Sequence, residues 1–299
     1  TDPKYVSLAV QMLKDRIGVD HIDMNFGCPA PKVTRNGGGA AIPVKRRLLA
    51  SIVESAVKAA GAIPVTIKFR KGIDDEHLTF LDSGRIAQES GCVGVTLHAR
   101  TARDLYSGHA DWDAIGELVN HIDIPVFGNG DIWESWDALR MIRYTGAAGV
   151  EIGRGCLGRP WLFSDLVAVL NGREPQLVQP SLGLVADVML DHVARLLDFY
   201  DHDENDIVRR FRKHAGWYVA GWPVGKDLRR RLHSVNSLDE LKSITDEFDR
   251  GILLPPEGVR VKRSHTGGPK KVSLPDNWLS DPDEVVALSS AAEANVSGG

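Results

Sequence analysis

Several things are scarce in this sequence, and each scarcity excludes a class of protein. Cys28, Cys92 and Cys156 are the three cysteines among 299 residues, widely spaced and with no C-x-x-C pair. That excludes a disulfide framework or a cysteine-rich zinc cluster as the source of stability, and no metal is expected. No apolar run is long enough to span a bilayer and no signal-peptide pattern opens the chain, so a cytoplasmic protein away from membranes is expected. An excess of positive charge is missing too: the formal net charge is -4 and the pI is near 6.2, so any nucleic-acid contact must come from a local patch. There is no initiator methionine, since the chain opens Thr1-Asp2-Pro3.

What is present is a repeating texture. Short apolar runs at 21–25, 64–70, 94–100, 125–129 and 149–153 are bounded by Gly or Pro, as buried parallel strands are. Helical patterns lie between them at 4–16, 44–59, 83–89, 112–120 and 135–143. Repeated strand–helix units imply a parallel α/β sheet with right-handed crossovers. Each strand ends in residues with chemical potential: Asn25 to Cys28, Lys68 to Arg70, His98 to Arg100, Asn129 to Asp131, and Gly153 to Gly155. Loaded carboxyl ends on successive strands favour a (β/α)8 TIM barrel over a doubly wound sheet, although an open five-stranded sheet is an alternative. Five βα units against eight leave about 90 residues, three units' worth, expected ahead of Thr1.

The texture changes after Pro160. Residues 1–170 are expected to form the barrel domain, 171–180 a linker, 181–250 a small helical domain and 251–299 an extended tail, mobile after about Leu279. Ser181 is a good N-cap for a helix to about Tyr200, and further helices are expected at 207–220, 226–231 and 238–250.

Cys28 follows a strand and is flanked by Gly27 and Pro29, turn formers rather than core residues, which favours a functional thiol over a small buried hydrophobe. Cys92 fits the buried reading. The loop 32–41 is basic and glycine-rich but is no P-loop, so it reads as a flexible barrel loop or a phosphate-backbone contact. Lys68 interrupts an apolar strand and needs an anionic or electron-rich partner, either a flavin-like ring or an internal salt bridge. His98 and Arg100 alternate on one strand and are expected on one side of it. Gly128-Asn129-Gly130-Asp131 and Gly153-Arg154-Gly155 fit the phosphate-binding loops at the last two strands of a barrel and imply a phosphorylated cofactor.

Taken in order, Asn25-Phe26-Gly27-Cys28-Pro29-x-x-Lys32, Val65-x-Ile67-Lys68-x-Arg70, Leu97-His98-x-Arg100-Thr101, Gly128-Asn129-Gly130-Asp131 and Ile152-Gly153-Arg154-Gly155 resemble the tRNA-dihydrouridine synthases, closest to the bacterial B type. Arg212-Lys213-His214-x-x-Trp217-Tyr218 is similar to that family's C-terminal domain. The resemblance spans about residues 2–275. It implies FMN-dependent reduction of the uracil C5–C6 double bond in tRNA, with NADPH reducing the flavin and the flavin N5 giving hydride to C6. Cys28 matches the general acid that protonates C5. Lys68 and His98 match flavin contacts, and Asn129, Gly130, Asp131, Gly153 and Arg154 match the residues holding its phosphate. Asn25, Lys32 and Arg100 match positions near the uracil and its RNA, and the family enzyme is expected to be a monomer when full length. The five units correspond to the last five of the family's barrel.

Between Arg209 and Arg231 stand eight Lys/Arg and one acid, Asp227. Composition alone leaves this open between a solvated helix face and an RNA surface. The resemblance favours the RNA surface, with Arg209, Arg212 and Lys213 as tRNA contacts and a steep salt dependence. Five further cations in 259–271 supply a second contact. Two other readings fit parts of the pattern: a dihydroorotate dehydrogenase-like FMN barrel, and a tRNA-binding fragment without catalysis.

Overall fold

The computed structural model of the chain describes residues 1–201, 203–264 and 266–284. Residues 285–299, on which part of the expected tail falls, lie outside the described residues. The described residues divide into two compact units, one of 1–131, 140–151 and 266–284 and the other of 132–139, 152–201 and 203–264.

In chain order the first unit begins with α1 (Pro3–Met12), started by Pro3 and by the Asp2 carboxylate, which accepts the Lys4 N–H at 2.8 Å. Then come β1 (Ile22–Phe26), α2 (Pro31–Thr34), α3 (Arg46–Ala60), β2 (Val65–Arg70), α4 (Phe80–Glu89), β3 (Gly94–His98), α5 (Trp112–His121), β4 (Val126–Asn129), α6 (Ser135–Thr145, of which residues 140–145 belong to this unit) and β5 (Gly149–Glu151). All five strands are parallel and pair in chain order, β1 to β5. A doubly wound sheet reverses its order at a switch point; this one never does, which is the winding of a (β/α)8 barrel.

Register sorts the side chains into two faces. Phe26, Phe69, Leu97 and Gly128 are successive partners on one face. A Cβ added at Gly128 would meet Ile115 of α5 and Met141 of α6, so this face packs on the helices. Val65, Ile67, Phe69, Val95 and Leu97 on it are almost wholly buried. Each such side chain stabilises the layer by about 1.5–3 kcal/mol relative to exposure. The opposite face carries Asp23, Asn25, Thr66, Lys68, Arg70, Thr96, His98, Asn129 and Glu151, with Phe127 as its one large apolar residue.

Three expectations need correction. The third strand stops at His98, where the Arg100 N–H turns back onto the His98 carbonyl at 2.7 Å, so Arg100 does not continue the alternation with His98. Helix α4 starts at Phe80 rather than Ser83, because the Ser83 hydroxyl donates back to the Thr79 carbonyl at 2.8 Å inside the helix instead of capping it. The stretch 32–41 is not a plain loop: Thr34 is buried and Gly39–Val44 forms a buried 3-10 turn.

The second unit is helical: α7 (Leu162–Leu170), α8 (Leu182–Phe199), α9 (Glu204–Tyr218), α10 (Gly225–Ser234), α11 (Leu238–Asp246) and α12 (Pro256–Val259). Ser181, Asp203 and Ser237 cap α8, α9 and α11 through their side chains. Val185, Met189, Val193, Phe211, Leu232 and Ile244 are fully buried in one cluster among these helices.

Candidate active site

The polar face of the sheet places the predicted residues in two adjacent rows. One row runs Asn25, Lys68, Thr96, Phe127. The next runs Arg70, His98, Asn129, Glu151. The rows are cross-linked, since the Lys68 ammonium donates to Asn129 Oδ1 at 3.1 Å and Asn129 Nδ2 donates to the Glu151 carbonyl at 2.8 Å. The Glu151 carboxylate stands 3.8 Å from Lys68 Nζ. Burial pushes the Lys68 ammonium down and the Glu151 carboxyl up from their ordinary ranges, and each partly offsets the other's shift by attraction. Lys68 therefore has both a salt-bridge neighbour and N–H donors beyond the one that Asn129 takes.

Arg70, which the sequence placed in a motif without a role, is a strut. Its guanidinium donates to the carbonyls of Gly27, Thr101 and Leu105 at 2.9–3.0 Å and lies 5.6 Å from the Tyr106 ring centroid. Burial lowers its pKa to about 10. Glu151, Thr96 and Phe127 were missed. Their signal was the period-2 alternation that leads outward from Lys68 through the register.

Cys28 is half-buried on the loop after β1. Asn25 Oδ1 accepts the Gly27 N–H at 2.9 Å and shapes the turn into it. The Ala40 N–H donates to the Cys28 carbonyl at 3.0 Å. Gly39 sits so close that an added Cβ would lie 2.6 Å from that carbonyl and 3.1 Å from the Cys28 Cβ, and its φ of 54° is itself a glycine conformation. Lys32, one turn on in α2, is exposed. Of the other thiols, Cys92 is buried, with its pKa pushed up to about 12, and Cys156 is raised by burial.

Arg100 and Asp131 form a clasp. Arg100, 2% exposed, donates from Nη2 to both Asp131 oxygens at 2.8 Å and to the Gly108 carbonyl at 2.9 Å, and from Nε to the Ser107 carbonyl at 3.0 Å. Asp131 also accepts the Ala110 N–H at 2.7 Å. Beside it Gly130, φ 132°, is close enough to Ala110 that a Cβ would clash at 2.6 Å.

In the second unit, Gly153 leads into a single 3-10 turn, Arg154–Cys156, with the Arg154 guanidinium 5.1 Å from the Trp133 ring centroid. On α9, Arg209 and Lys213 are exposed. Arg212 instead donates to the carbonyls of Val235 and Ser234 and to Asn236 Oδ1, tying α9 to the end of α10. Arg210, Arg230 and Arg231 are engaged by Asp206, Asp227 and Glu247. Among the described residues there is no helix long and apolar enough to cross a membrane and no His/Cys/Asp/Glu group of three or more that could hold a metal.

Comparison with known proteins adds the family. The dihydrouridine synthase (Dus) family model matches residues 1–252. The chain is 49% identical over 301 residues to a "Probable tRNA-dihydrouridine synthase" of Mycobacterium tuberculosis, an alignment covering 100% of this chain and 76% of that one. It is 50% identical over 286 residues to the protein of the same name from Mycobacterium leprae, covering 95% and 73%. With "tRNA-dihydrouridine synthase B" of Pseudomonas putida it shares 39% over 220 residues, covering 73% and 64%. A cysteine loop, a lysine–asparagine pair on a polar sheet face and the two glycine turns thus sit in a chain that belongs to the dihydrouridine synthase family.

Proposed function

We propose that the protein is a tRNA-dihydrouridine synthase that binds FMN over the polar face of its sheet, uses NADPH as reductant and protonates uracil C5 from Cys28. The observation that carries the reading is Lys68: a half-buried ammonium, its side chain 20% exposed, with one hydrogen bond to Asn129 and a carboxylate 3.8 Å away. That donor set fits an electron-rich ring laid against the face, because a buried cation needs more than one partner.

FMN, when bound, supplies hydride to uracil C6 after reduction by NADPH. Lys68 and His98 would hold the ring, with the Lys68 ammonium donating to its electron-rich edge. Asn129 fixes the direction of the Lys68 ammonium through its own bond to the Glu151 carbonyl. Asn129, Gly130 and Asp131 are assigned to the ribityl phosphate, and Gly153 and Arg154 carry the same assignment from their motif alone. The Asp131 carboxylate is already taken up by Arg100 and Ala110, so its contribution to an anion is through the backbone it shapes. Cys28 hands its thiol proton to C5 as hydride arrives at C6, which completes reduction of the double bond. Asn25, Lys32 and Arg100 are assigned to the uracil and its backbone, with the Arg100 guanidinium held by Asp131, Ser107 and Gly108. Arg209 and Lys213 on α9 meet tRNA phosphates, while Arg212 supports that helix.

The test is Cys28→Ala in single turnover. The variant should bind FMN and accept electrons from NADPH as the parent does, while dihydrouridine formation in tRNA drops about 100-fold or more, the usual scale for losing a general acid. Dihydrouridine formed at the parent's rate would remove the assigned role.

A further inference from the structure

The family match ends at residue 252, yet residues 269–284 are built into the first unit across the loops that leave three strands. Val272, Leu274, Trp278 and Leu279 pack on Ala40 and Val44 after β1, Ile73 after β2 and Ala102 after β3. The Lys270 N–H donates to the Arg103 carbonyl at 2.8 Å. The Trp278 indole N–H donates to the Ala41 carbonyl at 2.8 Å, and its ring lies so tightly on Gly37 that a Cβ there would meet it at 2.7 Å. Lys45, with no exposed side-chain surface, donates to the Asp281 carbonyl at 2.8 Å and to Glu284 at 2.7 Å, with Nζ 5.3 Å from the Trp278 ring centroid. Gly37 and Ala41 bracket Gly39, whose backbone is pressed against Cys28.

We propose that residues 269–284 clamp the cysteine-bearing loop, and that Trp278 and Lys45 are positioning residues for Cys28. The proposal rests on the reading of Cys28 as proton donor. A buried lysine and an indole that both reach across more than 230 residues of sequence to one loop leave it few alternative positions.

The test compares Trp278→Ala and Trp278→Phe in the full chain, reading amide exchange over 28–45 and the iodoacetamide alkylation rate of the Cys28 peptide, with Cys156 as internal reference. Trp278→Ala should speed Cys28 alkylation about tenfold, the factor equivalent to 1.4 kcal/mol of lost loop order. It should raise exchange at 36–45, and lower kcat with KM for tRNA unchanged. Trp278→Phe, which keeps an aromatic side chain but lacks the indole N–H given to Ala41 and the outer ring edge over Gly37, should recover only part of the loss. Parental exchange and alkylation in a folded Trp278→Ala protein would overturn the clamp. Should that variant not fold, Glu284→Gln gives the same readout at Lys45, with faster exchange at 42–46 expected and no change overturning the proposal. A loosened loop in Trp278→Ala together with full dihydrouridine formation by Cys28→Ala would leave the clamp standing and remove the proton-donor role.

Discussion

Removing the guanidinium of Arg100 should cost the first unit about 3 kcal/mol, for reasons that can be followed bond by bond. Arg100→Met keeps the length of the side chain and deletes its donors. Two carbonyls, those of Ser107 and Gly108, lose their partners, and the Asp131 carboxylate keeps the Ala110 N–H of the donors described above. Breaking a buried ion pair from one side costs about 3–5 kcal/mol, and the lower figure applies because the Asp131 side chain is 17% exposed and water can reach it. Asp131→Asn makes the complementary change without disturbing the backbone, since asparagine also adopts the φ of 56° found there. The double variant should be at least about 1 kcal/mol more stable than the sum of the two single losses, as expected for residues in direct contact. Urea unfolding of the four proteins measures this cycle. A loss below about 1 kcal/mol for Arg100→Met, or strict additivity, would refute the account of the clasp as a buried, mutually dependent pair.

The helical unit has its own pH signature. His214, stacked on Phe211 and edge-on to His192, has its pKa pushed down to about 4 by burial, with further lowering from His192 and Lys213. The folded state holds it neutral, whereas the unfolded chain protonates near 6.5. Its stability contribution is therefore complete above about pH 6.5 and declines as pH falls toward 4, and His214→Phe should flatten that slope in pH-dependent thermal unfolding. Arg209→Ala and Lys213→Ala should each lower the slope of log affinity against log salt for tRNA by about 1, while Arg210→Ala, held by Asp206 at 2.8 Å, should change it less. Equal effects at all three positions would refute the distinction between engaged and exposed cations on α9.

The strands were legible because burial on the helix side leaves a strong record: Val65, Ile67 and Phe69 are apolar, and each interval between them holds a residue that is not. The same alternation contained Thr96, Phe127 and Glu151, but reading them as neighbours of Lys68 requires the register, which no single strand reveals. Arg100 was misplaced because sequence spacing cannot show where a strand gives way to a turn. Its clasp depends on a hydrogen bond from residue 100 to the carbonyl of residue 98. The buried 3-10 turn at Gly39–Val44 was hidden by its own composition, since glycine and alanine suit an exposed loop as well as a close-packed one. What covers it, the segment around Trp278, lies more than 230 residues away in sequence. On α9, charge was easy to count, but Asp206 and the carbonyls of Ser234 and Val235 had already engaged Arg210 and Arg212.

The sequential strand order also makes the polar face a ruler for epistasis. Neighbouring strands stand about 4.8 Å apart, so each step along the row from Arg70 through His98 and Asn129 to Glu151 is one strand spacing. Substitutions one step apart, or joined by a bond as Lys68 and Asn129 are, fall in the range where effects depend on one another by about 0.5–3 kcal/mol. Substitutions at the two ends, about 14 Å apart on the same spacing, lie beyond the range of roughly 7–10 Å over which coupling is usual. A combinatorial library across this face should therefore show interaction terms that decay with strand number, and random drift can change its two ends independently while its middle must change in pairs.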